Sequence, residues 1–183
     1  FKKDADAATR WNNAFCLMAE LGLRPTEVNK LIVKKDPTTK EFYWFCTYEK
    51  KGGGGTTEPR RIEPLPLLDR DGKEVKWNLI DRFRANLLPL PERVDGDACK
   101  VYLQRREGWK QLKEMMKKKE GSNLVPYSFR HYYSLRGHIA GIDSGSMASS
   151  MGHSIEAHHR AYPYSSKAST TNAFKKARKR LTA

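Results

Sequence analysis

Acidic residues are scarce in this chain of 183 residues, where 21 Asp and Glu face 35 Lys and Arg and leave a formal charge of +14 with histidine neutral. An excess of this size points to a polyanionic partner, most economically nucleic acid, and it names no chemistry. Cysteine is equally sparse. Cys16, Cys46 and Cys99 are odd in number and scattered in spacing, which excludes a disulfide scaffold or a Cys-rich zinc module and predicts free thiols in a reducing compartment. No apolar run approaches the ~20 residues that a membrane-spanning helix needs. Hydrophobic residues make up only 38% of the chain, but 10% aromatics with four Trp exclude a disordered composition. The first residues, Phe1-Lys2-Lys3-Asp4, form neither a signal peptide nor an initiator, so the chain reads as an excised piece of something longer.

What is present fits one compact domain with a short arm. Trp11, Phe15, Met18 and Leu21 recur at helical spacing up to a capping Gly22, and Pro25-Thr26-Glu27 reads as the opening of a second short helix carrying Val28 and Leu31. Leu31–Val33 and Phe42–Tyr48 are rich in β-branched and aromatic residues and predict strands, with a turn at Pro37-Thr38-Thr39. Gly52–Gly55 reads as a loop tip, and Arg61–Leu65 as a returning strand kept short and at the edge by Pro64. The remainder reads as helix. Trp77–Leu88 is one, ending at prolines. Another is striped by Trp109, Leu112 and Met116 up to Gly121. A third opens at Pro126, with Tyr132, Leu135, Ile139 and Ile142 on one face. Ser144–Met151 stops at Gly152, Ile155 to about Tyr162 follows, and Thr170–Leu181 reads as a basic amphipathic helix. The predicted class is α+β: a mostly helical single domain with a small antiparallel sheet.

Three short elements carry residues of chemical interest. Leu21-Gly22-Leu23-Arg24-Pro25-Thr26-Glu27 sets an arginine at a helix corner, with Glu27 three residues on and able to orient it. In Tyr127-Ser128-Phe129-Arg130-His131 the phenol and guanidinium stand at i and i+3, on one helix face. Met151-Gly152-His153-Ser154 places a histidine at a corner, and Tyr162 follows it by nine residues. His153, His158 and His159 are spaced poorly for a single metal, and no cysteine is near them, so neither metal nor cofactor is expected. Arg24 and Arg130 are 106 residues apart.

Taken in this order, the elements resemble the catalytic domain of the tyrosine recombinases, the phage-integrase family of site-specific DNA recombinases. The resemblance covers nearly the whole chain, from about Ala5 to Tyr164, and is carried by the ordered set rather than by any one motif. It implies a catalytic domain over 1–164, a basic tail over 165–183, and a separate N-terminal helical DNA-binding domain that this chain does not contain. It also implies cleavage and rejoining of double-stranded DNA through a 3′-phosphotyrosyl intermediate, without metal or ATP. The site it implies is Arg24, Lys50, Tyr127, Arg130, His153 and Tyr162, with Lys51, His131, Glu27 and Tyr164 as further candidates.

The chemistry asks for these types. Two guanidiniums can clamp the nonbridging oxygens of a pentacoordinate phosphorane and stay charged at any workable pH. A phenol near pKa ~10 is almost wholly protonated at neutrality and needs a proton acceptor. The departing 5′ oxygen needs a donor, which the family takes from a hairpin lysine. Here that is Lys50, just before the glycine loop, with Lys51 as its rival. Tyr127 stands where the family usually has a histidine, and a phenol there is a hydrogen-bond donor and a poor base, which leaves His131 as the fallback acceptor. Tyr164 is a rival nucleophile, although the family spacing selects Tyr162. The resemblance further implies a DNA-associated location in the cytoplasm of a bacterium or phage-infected host, no membrane, and a homotetramer on DNA coupled through the tail. The competing reading within the same fold is a DNA-binding module with impaired catalysis, for which Tyr127 would be the first sign.

Overall fold

The computed structural model describes residues 2–52 and 56–163, together with 171, 174, 175, 177–179 and 181 of the tail, which are helical. Tyr164, the tip of the glycine loop at 53–55 and the stretch 164–170 lie outside the described residues, and so does any reading of how the tail docks.

Helix α1 (Lys2–Leu21) buries Ala14, Leu17, Met18 and Leu21 as one stripe. It ends because Gly22 takes a left-handed φ of +65° and donates its amide to the Met18 carbonyl. Glycine is required there twice over, since a Cβ would lie 2.3 Å from the Tyr133 ring. The expected second helix is a six-residue 3₁₀ turn, Pro25–Lys30, and Leu31 belongs to the next strand. Pro25 holds Arg24 extended, and the turn ends where Leu31 begins pairing with Cys46.

Strands β1 (Leu31–Lys35), β2 (Phe42–Cys46) and β3 (Arg60–Ile62) form an antiparallel sheet in sequence order. Alternation buries Leu31, Trp44, Cys46 and Ile62 on the inner face. On the outer face Lys34 Nζ sits 3.5 Å over the Phe45 ring, and the Arg61 guanidinium 4.5 Å over Tyr43. β3 is shorter than predicted and stops before Pro64. A small hairpin, β4 (Leu67–Leu68) with β5 (Glu74–Val75), was not legible in the sequence.

The helix expected over Trp77–Leu88 is only α2 (Leu79–Arg84). Asn78 and Asn86 both adopt left-handed backbone, which breaks the helix at either end, while Trp77 and Leu88 still pack on the core. Then follow α3 (Gly96–Gln104), capped by Asp95, and α4 (Glu107–Glu120), which buries none of its residues fully. The last three helices are α5 (Ser128–Ala140), α6 (Ser144–Met151), capped by Asp143, and α7 (Ile155–Ala161), capped by Ser154.

Helix α5 corrects the sequence reading. It begins at Ser128 rather than at Pro126, and Tyr132, Leu135 and Ile139 of the predicted stripe are exposed, while Ile142 is half-buried. The buried face is instead Arg130, Tyr133, Ser134 and Gly137. Three contacts select it over the apolar stripe. Gly137 lets Met147 approach to where a Cβ would stand 2.4 Å from its sulfur, Tyr133 donates to the Glu63 carbonyl at 2.7 Å, and Arg130 reaches two main-chain carbonyls. The larger core joins α1, the sheet and α2, and a smaller one gathers Tyr133, Met147, Met151 and Tyr162. All three cysteines are buried and free. Among the described residues no helix is long and apolar enough to cross a membrane.

Candidate active site

The centre of the site is a buried carboxylate. Glu27 has no exposed side-chain surface and is met by three arginines. Arg24 Nη1 is 2.7 Å from its Oε1, Arg60 Nη2 is 2.9 Å from the same oxygen, and Arg130 Nη1 is 3.6 Å from Oε2. The Arg24 amide also donates to Oε2 at 2.8 Å. Burial alone would raise the Glu27 pKa, but Arg60, Arg130, Arg24 and that amide outweigh it and hold the carboxyl below its ordinary range. Three cations against one anion leave the cluster positive.

The same guanidiniums converge on the C-terminus of α6. The Met151 carbonyl accepts from Arg130 Nη2 at 2.5 Å, Arg60 Nη2 at 3.1 Å and Arg24 Nη1 at 3.4 Å. Arg24 Nη2 also donates to the Gly152 carbonyl at 3.0 Å, and Arg60 Nε to that of Ser150 at 2.8 Å. Free carbonyls at a helix end carry partial negative charge, so the cations settle there. Gly152, with φ +67°, turns the chain out of α6; a Cβ on it would lie 2.4 Å from the Arg60 guanidinium carbon. This corner delivers His153 to the arginines.

Arg60 was missed in the sequence reading. It stands in β3 as one arginine of an Arg60-Arg61 pair, and strand alternation sends it inward while Arg61 faces out. Its Nη1 is buried with no hydrogen-bond partner among the described residues.

A cavity of about 500 Å³ opens beside this cluster, lined among others by Arg24, Lys50, Tyr127, Arg130, His131, His153 and Tyr162. Residues from the 3₁₀ corner, the hairpin, α5, the α6–α7 corner and the end of α7 thus share one wall. Lys50 reaches it because Lys50 and Thr57 pair as a single antiparallel bridge closing the hairpin. Lys51, the alternative, is exposed and does not line the cavity. Tyr127 is 39% exposed at the start of α5. His131 also lines the cavity instead of packing behind it, edge-on to Tyr162 with centroids 5.4 Å apart.

Tyr162 follows α7 with its amide bonded to the His158 carbonyl, and its ring is buried to 5% exposure on the cavity wall. Burial pushes its phenol pKa up, against the downward pull of Arg130. His153 is driven the other way, to about 3, by burial and then by Arg130, His158, Arg24 and Arg60. His131 is lowered by burial and Arg130. Arg130 is itself lowered by burial and by Arg24, and remains a cation. The resting site therefore holds neutral imidazoles, a protonated phenol and a surplus of guanidinium charge, which suits a tetrahedral anion. Among the described residues no group of three or more His, Cys, Asp or Glu side chains is gathered as a metal would require.

No family model and no curated protein matches the chain. Solved structures do. One, the Tn1549 transposon integrase in complex with transposon right end DNA, has a TM-score of 0.49 at 17% identity, over 93% of this chain and 58% of that one. The same integrase in complex with circular intermediate DNA gives a TM-score of 0.48 at 15% identity, over 96% of this chain and 64% of that one. The chain spans less than two thirds of these solved chains.

Proposed function

We propose that this chain is the catalytic domain of a tyrosine-type DNA strand transferase, a site-specific recombinase or integrase. The observation that carries the reading is the convergence of Arg24, Lys50, Arg130, His153 and Tyr162 on one cationic cavity from five separate segments. In this reading the scissile phosphate takes the cavity. Arg24 and Arg130 bind its nonbridging oxygens, helped by Tyr127 and His153 as hydrogen-bond donors. The Tyr162 oxygen attacks phosphorus and gives its proton to His131, a neutral imidazole beside it. The bond from phosphorus to the 5′ oxygen breaks, and that oxygen takes a proton from the Lys50 ammonium. The products are a 3′-phosphotyrosine and a free 5′ hydroxyl, which reverses the step on a partner strand. Bond energy is conserved, so no ATP is consumed.

The excess positive charge serves the approach to DNA, and binding weakens steeply with salt as phosphate contacts release counterions. The full-length enzyme works as a homotetramer on DNA with the tail 165–183 coupling protomers.

A pool of nicked duplexes of random sequence, whose cleaved fragment diffuses away, tests the chemistry. The protein should become covalently attached to DNA, and Tyr162→Phe should abolish the adduct while leaving salt-sensitive binding intact. An adduct surviving in Tyr162→Phe refutes the assignment. Binding without any adduct in the parent protein favours the catalytically impaired module.

A further inference from the structure

Behind His153 the cavity wall carries imidazoles that the chemistry above leaves unused. His158, on α7, has no exposed surface. Its Nδ1 is 2.9 Å from Nε2 of His153, and its Nε2 is 2.9 Å from Nε2 of His138 on α5. The Tyr162 ring packs against the same imidazole, with centroids 4.9 Å apart.

A neutral imidazole has one N–H and one lone pair, and each N···N contact needs one of each. Three neutral rings in a row therefore have only two consistent arrangements. In the first, His138 Nε2–H donates to His158 Nε2, His158 Nδ1–H donates to His153 Nε2, and the one proton of His153 rests on Nδ1. In the second every direction reverses, so His153 donates inward from Nε2 and its Nδ1 carries a lone pair. Any mixture sets two protons or two lone pairs against each other.

The surroundings keep the rings neutral. Burial and then Arg130, His158, Arg24 and Arg60 hold His153 near 3, while burial and then His138, His159 and Arg130 hold His158 near 4. Burial and His159 lower His138 as well. A neutral His153 can donate to an anion from Nδ1 only in the first arrangement.

We propose that His158, and His138 through it, are positioning residues that fix His153 in the tautomer presenting Nδ1–H to a phosphate oxygen in the cavity. The proposal rests on the strand-transferase reading for its activity arm, and its spectroscopic arm stands apart from that reading.

The spectroscopic arm uses Tyr162→Phe protein with ¹⁵N-labelled histidine, bound to an intact random-sequence duplex. Long-range ¹H–¹⁵N spectra should show protons on His153 Nδ1, His158 Nδ1 and His138 Nε2. A bare Nδ1 on His153, or protons on both of its nitrogens, overturns the proposal. In the activity arm, His158→Phe should slow single-turnover adduct formation about tenfold or more, the worth of one hydrogen bond to a charged group, with DNA affinity within about twofold. His158→Asn keeps an amide donor where Nδ1 stood and should recover most of that rate. His138→Phe should slow the parent but not the His158→Asn protein, in which the chain is already cut. Equal effects of His138→Phe in both backgrounds, or an unchanged rate in His158→Phe, overturn the proposal. A parent that forms no adduct defeats the strand-transferase reading instead, and the spectra alone then decide the tautomer.

Discussion

Replacing Glu27 by Gln keeps the shape of the side chain and removes the one negative charge among three guanidiniums. The carboxylate is fully buried and lies 2.7, 2.9 and 3.6 Å from Arg24, Arg60 and Arg130. At an effective dielectric of about 20, opposite charges ~4 Å apart attract by about 4 kcal/mol, and the desolvation of the carboxylate offsets part of the three attractions. Breaking a buried ion pair from one side costs about 3–5 kcal/mol, because the remaining charge is left buried and unpaired. The expected loss for Glu27→Gln is therefore about 3–5 kcal/mol, a large part of the 5–15 kcal/mol that holds a typical domain together. Urea unfolding at neutral pH reads it as a fall in midpoint of about 1–5 M for slopes of 1–3 kcal/mol/M. Glu27→Gln/Arg60→Met, which returns the cluster to its original net charge, should lose less than the two single variants added together. The pH dependence has a definite sign. Because the folded carboxyl lies below its ordinary value of 4.5, its stabilisation is present above pH 4.5 and is lost as pH falls toward the folded pKa; Glu27→Gln should lack that acid-side decline. A loss under about 1 kcal/mol, or simple additivity of the double variant, would refute the idea that one carboxylate organises the three arginines.

Gly152→Ala must hold φ +67° and place Cβ against Arg60, so thermal unfolding should register a loss of about 1–3 kcal/mol, with slower adduct formation as Arg60 and His153 shift. Lys50→Ala should slow adduct formation about a hundredfold, the lower end of general-acid effects, whereas Lys51→Ala should leave it unchanged; the opposite result exchanges their roles. His153 and His158 titrate near 3 and 4 in the folded chain against 6.5 for an unperturbed histidine, so the unfolded state binds more protons below pH 6.5. Unfolding free energy should then fall as pH drops from 6.5 toward 4, and His158→Asn should flatten that decline in chemical denaturation measured across the range.

The sequence alone placed the helix corner at Gly22, the two long strands of the sheet, the ends of α6 and the candidate residues Arg24, Arg130, His153 and Tyr162. The elements rest on local signals, a capping glycine or a β-branched or aromatic run, whereas the candidate residues come from an ordered set of motifs spread along the chain that resembles a known family. The tertiary structure decided the rest. Which face of α5 is buried followed from Gly137 and from long-range carbonyls accepting from Arg130 and Tyr133, contacts that outweigh a 3.6-residue apolar period. The inward turn of Arg60 depended on the register of β3 against β2, and no feature of Arg60-Arg61 distinguishes the two beforehand. The imidazole chain joins His138 to His158 across twenty residues and two helices, which no spacing rule connects. Local propensity writes itself into neighbouring residues, whereas a cluster of like charges gathered on one buried carboxylate exists only once packing has closed around it.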